Sequence, residues 1–133
     1  MLFGRVVSAP ADVTAALENV LHERVDYVRV VEHSLFARVH ACDHATTRRR
    51  CIYLRGSAAD FFGHPELMLH EYFHVVKQWE PRRLTGWRYL WESLRRGYWN
   101  NCFEIEARAF AERHRGQMQE ALNAPHPNNA SRS

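Results

Sequence analysis

A helix is the element that brings two side chains four residues apart onto one face, and the chain marks the limits of such a helix clearly. His70-Glu71-Tyr72-Phe73-His74 holds two histidines at that spacing, so both imidazoles can reach one cation. Glu71 then sits beside the cation rather than on it, placed to take a proton from an attacking water. That is the arrangement used in zinc-dependent hydrolysis. Leu67-Met68-Leu69 and Val75-Val76 flank the motif and no charge occupies its two variable positions, which suits a water-poor site. Pro65 fits a first helical turn, where its missing N–H costs nothing. Glu80-Pro81 ends the helix, because proline restricts the residue before it. The segment therefore predicts a helix from about Pro65 to Trp79.

The chain's 133 residues make one domain, expected over 1–122, with an Asn-, Pro- and Ser-rich disordered tail over 123–133. No run of 18 apolar residues exists to span a membrane. Residues 1–10 lack the apolar stretch of a signal peptide. The chain reads as cytoplasmic, which leaves room for export by a signal-independent route. Cys42, Cys51 and Cys102 form an odd set without C-x-x-C spacing, so a disulfide scaffold is not expected. A net charge of +3 permits weak attraction to acidic partners without requiring it.

Ala11 to Glu23 reads as a helix, with Val13, Ala16, Leu17, Val20 and Leu21 at helical spacing and Asp12 as its cap. Val25 to Val31 reads as a strand, and the alternation from Leu35 to Ala41 as a second strand paired to it in a hairpin. Asp43 to Arg50 is polar and reads as a loop. Cys51 to Arg55 forms a third strand, stopped by Gly56-Ser57. After the motif helix comes a helix from about Thr85 to Arg96. Its Trp87, Leu90, Trp91 and Leu94 recur at core spacing, and Gly97 closes it. A last helix runs from about Asn101 to Leu122, with Asn101 and Glu104 at capping-box spacing. The fold class is α+β: a helix, a small three-stranded sheet, then three helices.

Catalytic zinc takes three protein ligands and keeps a fourth position open. His70 and His74 supply two. For the third, Glu80 lies too near the motif helix, and Glu92 sits among Arg88, Arg95 and Arg96 on a solvated face. The last helix is better placed. Taking its apolar face as centred on Phe103, Phe110 and Ala121, a helical wheel puts Glu106 nearer the centre than Glu104. The wheel leans towards Glu106 and leaves both open. Tyr98, His64 and Arg55 are candidate donors to a developing oxyanion. Tyr98 leads because it precedes the ligand helix, and a half-buried core aromatic is its competing reading.

The order of elements resembles the core of zincin metallopeptidases. In that fold the sheet's edge strand lies over the motif helix and pairs with an extended peptide; Cys51 to Arg55 is the corresponding candidate here. Glu104-Ile105-Glu106-Ala107-Arg108-Ala109-Phe110-Ala111 resembles the E-x-E-A-x-x-F-A signature of small gluzincins, including ImmA/IrrE-type peptidases. In those, the glutamate directly before the alanine is the third zinc ligand, which implies Glu106. From about Ile52 to Arg113 the pattern is closer to HExxH domains associated with extracellular contractile injection systems. One departure is Cys102, where those domains usually carry proline.

The resemblance implies a zinc metallopeptidase with His70, His74 and Glu106 as ligands and Glu71 as general base. It also implies a peptide or protein substrate and a secretion-system or regulatory partner. Two other classes compete. One is a metal-binding interaction domain without turnover, against which the intact Glu71 argues. The other is a SprT-like nucleic-acid-associated protease. The Trp and Arg content of Trp79 to Trp99 suits that class, whereas the core spacing of its tryptophans and the lack of a zinc ribbon argue against it.

Overall fold

The computed structural model describes residues 4–40 and 45–124. Those residues form β1 (Arg5–Val7), α1 (Ala11–Leu21), β2 (Arg29–Glu32), α2 (Leu35–His40), β3 (Ala45–Arg48) and β4 (Cys51–Leu54). Then follow α3 (Ala58–Phe62), α4 (Pro65–Phe73), α5 (Gly86–Arg96) and α6 (Cys102–Asn123). A π-helical stretch, His74–Trp79, continues α4 without a break. The protein is thus mixed α and β, with more elements than the sequence announces. No helix among the described residues is long and apolar enough to cross a membrane. Of the expected tail, Asn123 belongs to α6, and residues 125–133 lie outside the described set, as does Cys42.

The sheet order is β1-β2-β4-β3. β2 and β4 are parallel, whereas β1 pairs antiparallel with β2 and β3 pairs antiparallel with β4. Parallel neighbours need a crossover connection, and residues 33–50 supply it. This corrects the expected hairpin. Leu35–His40 is a helix because the buried Ser34 offers its Oγ to the Ala37 N–H at 3.3 Å, a local cap that outweighs the alternating pattern. Ala45–Arg48 is a strand rather than loop. Its Thr46 and Thr47 stand opposite Tyr53 and Ile52, where β-branched residues pack well on the pleat. The expected strand over Val25 to Val31 starts only at Arg29, after a turn closed by Val28 N–H to the Val25 carbonyl.

The consequence matters for the site. β4, expected at the sheet's edge, lies between β2 and β3. The edge beside the motif helix is β3, fastened there by Trp79 Nε1–H donating to Thr47 Oγ1 at 3.1 Å.

α1 packs as its sequence requires, burying Val13, Ala16, Leu17, Val20 and Leu21. Its expected cap at Asp12 is displaced to Pro10, and His22 ends it in the left-handed region at φ 57°. The core joins α1, the sheet, α4 and α6 around Leu17, Ile52, Leu69, Tyr72 and Met118. α6 packs on α4, with the Phe73 and Phe110 rings 4.7 Å apart, and its Ala107 and Ala111 are fully buried. The buried line on α6 is Glu104, Ala107, Ala111 and Met118. Phe103 and Phe110, which set the centre of the expected face, are only half-buried on its flank. Small residues permit the close approach, and bulky ones fill the groove beside it.

α5 departs furthest from expectation. Trp87, Leu90, Trp91 and Leu94 are exposed rather than core, from 48% for Leu90 to 82% for Trp87. The helix has no buried residue. Its attachments are polar: Asn101 Nδ2 donates to the Tyr89 carbonyl at 3.2 Å and to Ser93 Oγ at 3.0 Å.

Replacing Ala107 by leucine forces extra methylenes into the α4–α6 contact. We expect a loss of about 1–3 kcal/mol in urea-induced unfolding; an unchanged midpoint would mean that Ala107 does not set this spacing.

Candidate metal centre

α4 starts from His64, whose Nδ1 accepts the Leu67 N–H at 3.2 Å, with Pro65 in the first turn. From there the helix carries His70 and His74 one turn apart on the face turned to α6. The two Nε2 atoms stand 3.3 Å from each other. Glu104 Oε1 lies 3.1 Å from each of them. Glu104 and His74 are buried and His70 half-buried. Among the described residues, this is the one group of three or more His, Cys, Asp or Glu whose ligand atoms converge.

The geometry fits a tetrahedral cation. Zn–N distances near 2.0–2.1 Å at a tetrahedral angle place ligand atoms about 3.3 Å apart, close to the separations found here. The donor set, two imidazoles and one carboxylate with room for a fourth ligand, is that of catalytic zinc sites. A buried carboxylate meeting two imidazoles at one point also has a plain chemical reason to be there.

Around this centre the chain builds a supporting layer. Gln78 Oε1 lies 2.6 Å from His74 Nδ1. With Nδ1–H donating to that oxygen, the Nε2 lone pair points to the cluster. The π-helical widening carries Gln78 one turn past His74, as in the Glu80 N–H to Val75 carbonyl bond of 2.8 Å. Gln78 Nε2–H donates to the Phe103 carbonyl at 3.0 Å and to Glu106 Oε1 at 2.9 Å. Glu106 accepts a further bond from Arg83 at 2.9 Å. Tyr89 O–H donates to Glu104 Oε2 at 2.7 Å.

Glu106 was the third ligand implied by resemblance, and the geometry corrects it. Glu104, on the buried line of α6, meets the two histidines; Glu106 faces Arg83 and acts on His74 only through Gln78. The helical wheel leaves both glutamates open, and the resemblance selects Glu106; the buried line of α6 favours Glu104 instead. Measured from Ala107 and Ala111, Glu104 falls about 40° away and Glu106 about 120°. Asn101 caps α6 as expected, its Oδ1 accepting the Phe103 N–H at 2.9 Å. Glu104 does not close the capping box. Gln78 and Tyr89 were missed entirely. The i+4 step from His74 to Gln78 was the available signal for the first, and nothing local marked the second.

Glu71 is buried, with Oε1 4.0 Å from His70 Nε2, beside the cluster rather than within it. It shares with His74, Glu104 and Tyr98 a cavity of about 450 Å3, walled by β3 and α5. Tyr98 is half-buried, packs edge-on against Trp99 and borders that cavity. His64 and His70 line a separate cavity of about 460 Å3. Arg55 reaches back to the Ala37 carbonyl at 3.3 Å.

Burial alone would make His74 less basic. The hydrogen bond and charge of Glu104, the charge of Glu71 and the bond to Gln78 outweigh it and raise His74 to about 9. Burial likewise opposes ionisation of Glu104, but hydrogen bonds from His70, His74 and Tyr89 hold it well below the usual carboxylate range. Without metal, then, His74 keeps a proton at neutral pH that a cation must displace.

Affinity for a divalent cation, tested with zinc, should therefore rise with pH from neutrality to about 9, with protons released on binding. Titration calorimetry in buffers of differing ionisation enthalpy checks this; affinity flat across that range would contradict it. Glu104→Ala should abolish stoichiometric zinc, whereas Glu106→Ala should retain it with affinity about 10–100-fold lower. Metal analysis of the two purified variants distinguishes the roles, and the reverse pattern would restore Glu106 as the ligand. Comparisons with family models, with curated proteins and with solved structures found no match for this chain.

Proposed function

We propose that the protein is a zinc-dependent metallopeptidase of minimal zincin-like architecture, acting on a peptide or protein substrate. The observation that carries this reading is the buried Glu71 carboxylate. It stands beside the convergent His70, His74 and Glu104, on the wall of the cavity that His74 and Glu104 also border. A site for metal storage or structure has no use for a second carboxylate beside, rather than within, the ligand set.

Zinc bound there supplies a Lewis acid that makes hydroxide available near neutral pH and polarises a carbonyl. The residues do the rest. His70, His74 and Glu104 hold the ion, Gln78 fixes the His74 tautomer, and Tyr89 orients the Glu104 carboxylate. Glu71 takes the proton from the attacking water and returns it to the leaving amine. Tyr98, on the cavity wall, is the candidate donor to the oxyanion.

β3 supports a peptide substrate. It forms an edge of the sheet, and its residues line the cavity with Glu71 and His74. An extended chain added there gains main-chain hydrogen bonds alongside the centre. This role passes to Ala45–Arg48 from the interior strand β4.

Glu71→Gln tests the reading. It should keep zinc and lower kcat/KM on a cleaved peptide by about 10²–10⁴-fold. A zinc-loaded wild type that cleaves no member of a diverse peptide library would favour a metal-binding domain without turnover.

A further inference from the structure

α5 is amphipathic in the reverse sense for a domain's own helix. Tyr89 and Ser93 face inward, to Glu104 and Asn101. Trp87, Leu90, Trp91 and Leu94 face out, and Trp99 beyond the helix is exposed as well. Five of the eight large apolar side chains exposed among the described residues thus fall within thirteen positions, Trp87 to Trp99. Scattered exposure is ordinary, whereas a contiguous stripe marks a contact surface. Because the polar side of α5 is the side that docks, the domain's own core cannot cover the stripe.

Charge decides what does. Arg82, Arg83, Arg88, Arg95 and Arg96 lie in or just before the helix; Arg83 meets Glu106 and Arg96 meets Glu92, the single acid of the segment. On the helical wheel Arg88 and Arg95 fall beside the stripe, about 90–110° from its centre. Glu92 falls about 150° away and its side chain is largely buried. A second copy pressed stripe to stripe would set these arginines against each other with no acid between them. A single-stranded nucleic acid would use the tryptophans for stacking, but Leu90 and Leu94 offer no ring to a base. Tryptophan and leucine on one face with arginines at its margin is the composition of a helix lying in a bilayer interface.

We propose that α5 seats the protein on an anionic lipid surface. Trp87, Trp91 and Leu94 enter the headgroup boundary while Arg95, and the N–H groups of Arg88 left over from its bonds to the Arg82 and Arg83 carbonyls, meet lipid phosphates. Leu90 belongs both to the stripe and to the wall of the metal-centre cavity, so the bilayer lies at that cavity's rim. The proposal does not depend on turnover at the centre.

The test is flotation of the full chain with vesicles of phosphatidylcholine and phosphatidylglycerol in equal parts, beside vesicles of phosphatidylcholine alone. Binding to the anionic vesicles, with a blue shift of tryptophan emission and weakening by salt, is expected. Arg88→Gln with Arg95→Gln should lower partitioning about thirtyfold, and Arg95→Gln alone about fivefold. Trp91→Ser with Leu94→Ser should abolish binding with an unchanged circular dichroism spectrum, since both side chains are exposed. Equal binding to both vesicles, or to neither, would overturn the proposal. So would a concentration-dependent dimer, or oligonucleotide binding, lost in the Trp91/Leu94 variant without any vesicle binding.

Discussion

α6 packs on α4 with Ala107 and Ala111 fully buried, and the cluster of His70, His74 and Glu104 depends on that packing. The histidines leave α4 on the face that α6 covers, and Glu104 leaves α6 one turn before Ala107. A bulky residue at the fully buried Ala107 would strain this packing. The three ligand atoms, now 3.1–3.3 Å apart, would then no longer share one cation. The supporting layer depends on the same spacing. Gln78 spans it, tying His74 to the first turn of α6, and Asn101 ties that turn to α5. From there Tyr89 reaches Glu104. Helix packing and ligand geometry are in this sense one constraint.

The sequence discloses the parts whose signals are local. The limits of the motif helix, the start of α5 near Thr85, the cap at Asn101, the buried face of α1 and the pair His70/His74 follow from spacing and cap chemistry alone. What it does not disclose depends on neighbours remote in the chain. Leu35 to His40 alternates like a strand, yet Ser34 starts a helix because β2 and β4 pair in parallel and need a crossover. Glu104 and Glu106 are separated by the choice of buried face on α6, and hydrophobicity points to the wrong centre there: the buried line carries alanines, while phenylalanines lie half-buried on its flank. Trp87 to Leu94 has core spacing, but whether a stripe faces a core is settled by what lies across from it.

The displaced ligand and the inverted helix have a common lesson. Glu106 resembles a ligand by motif and serves instead as the anchor of Gln78, joined to Arg83 on the outer side. α5 resembles a core helix by period and instead presents its apolar side outward, held by Tyr89, Ser93 and Asn101. In each case the residue type is right for chemistry at this site, and the position in space assigns a different task. The result is a buried centre whose cavity is bounded by an open strand edge on one side and by an apolar, arginine-flanked helix on the other.

The most direct test of the centre is X-ray absorption at the zinc edge of the loaded protein. The account predicts two imidazole nitrogens at about 2.0–2.1 Å and carboxylate or water oxygens at about 2.0–2.2 Å, with no sulfur in the shell. It also predicts that the Glu104→Ala variant loses this spectrum while Glu106→Ala keeps it. A shell containing sulfur near about 2.3 Å, or one left unchanged when Glu104 is removed, would contradict the assignment of His70, His74 and Glu104 as the metal centre.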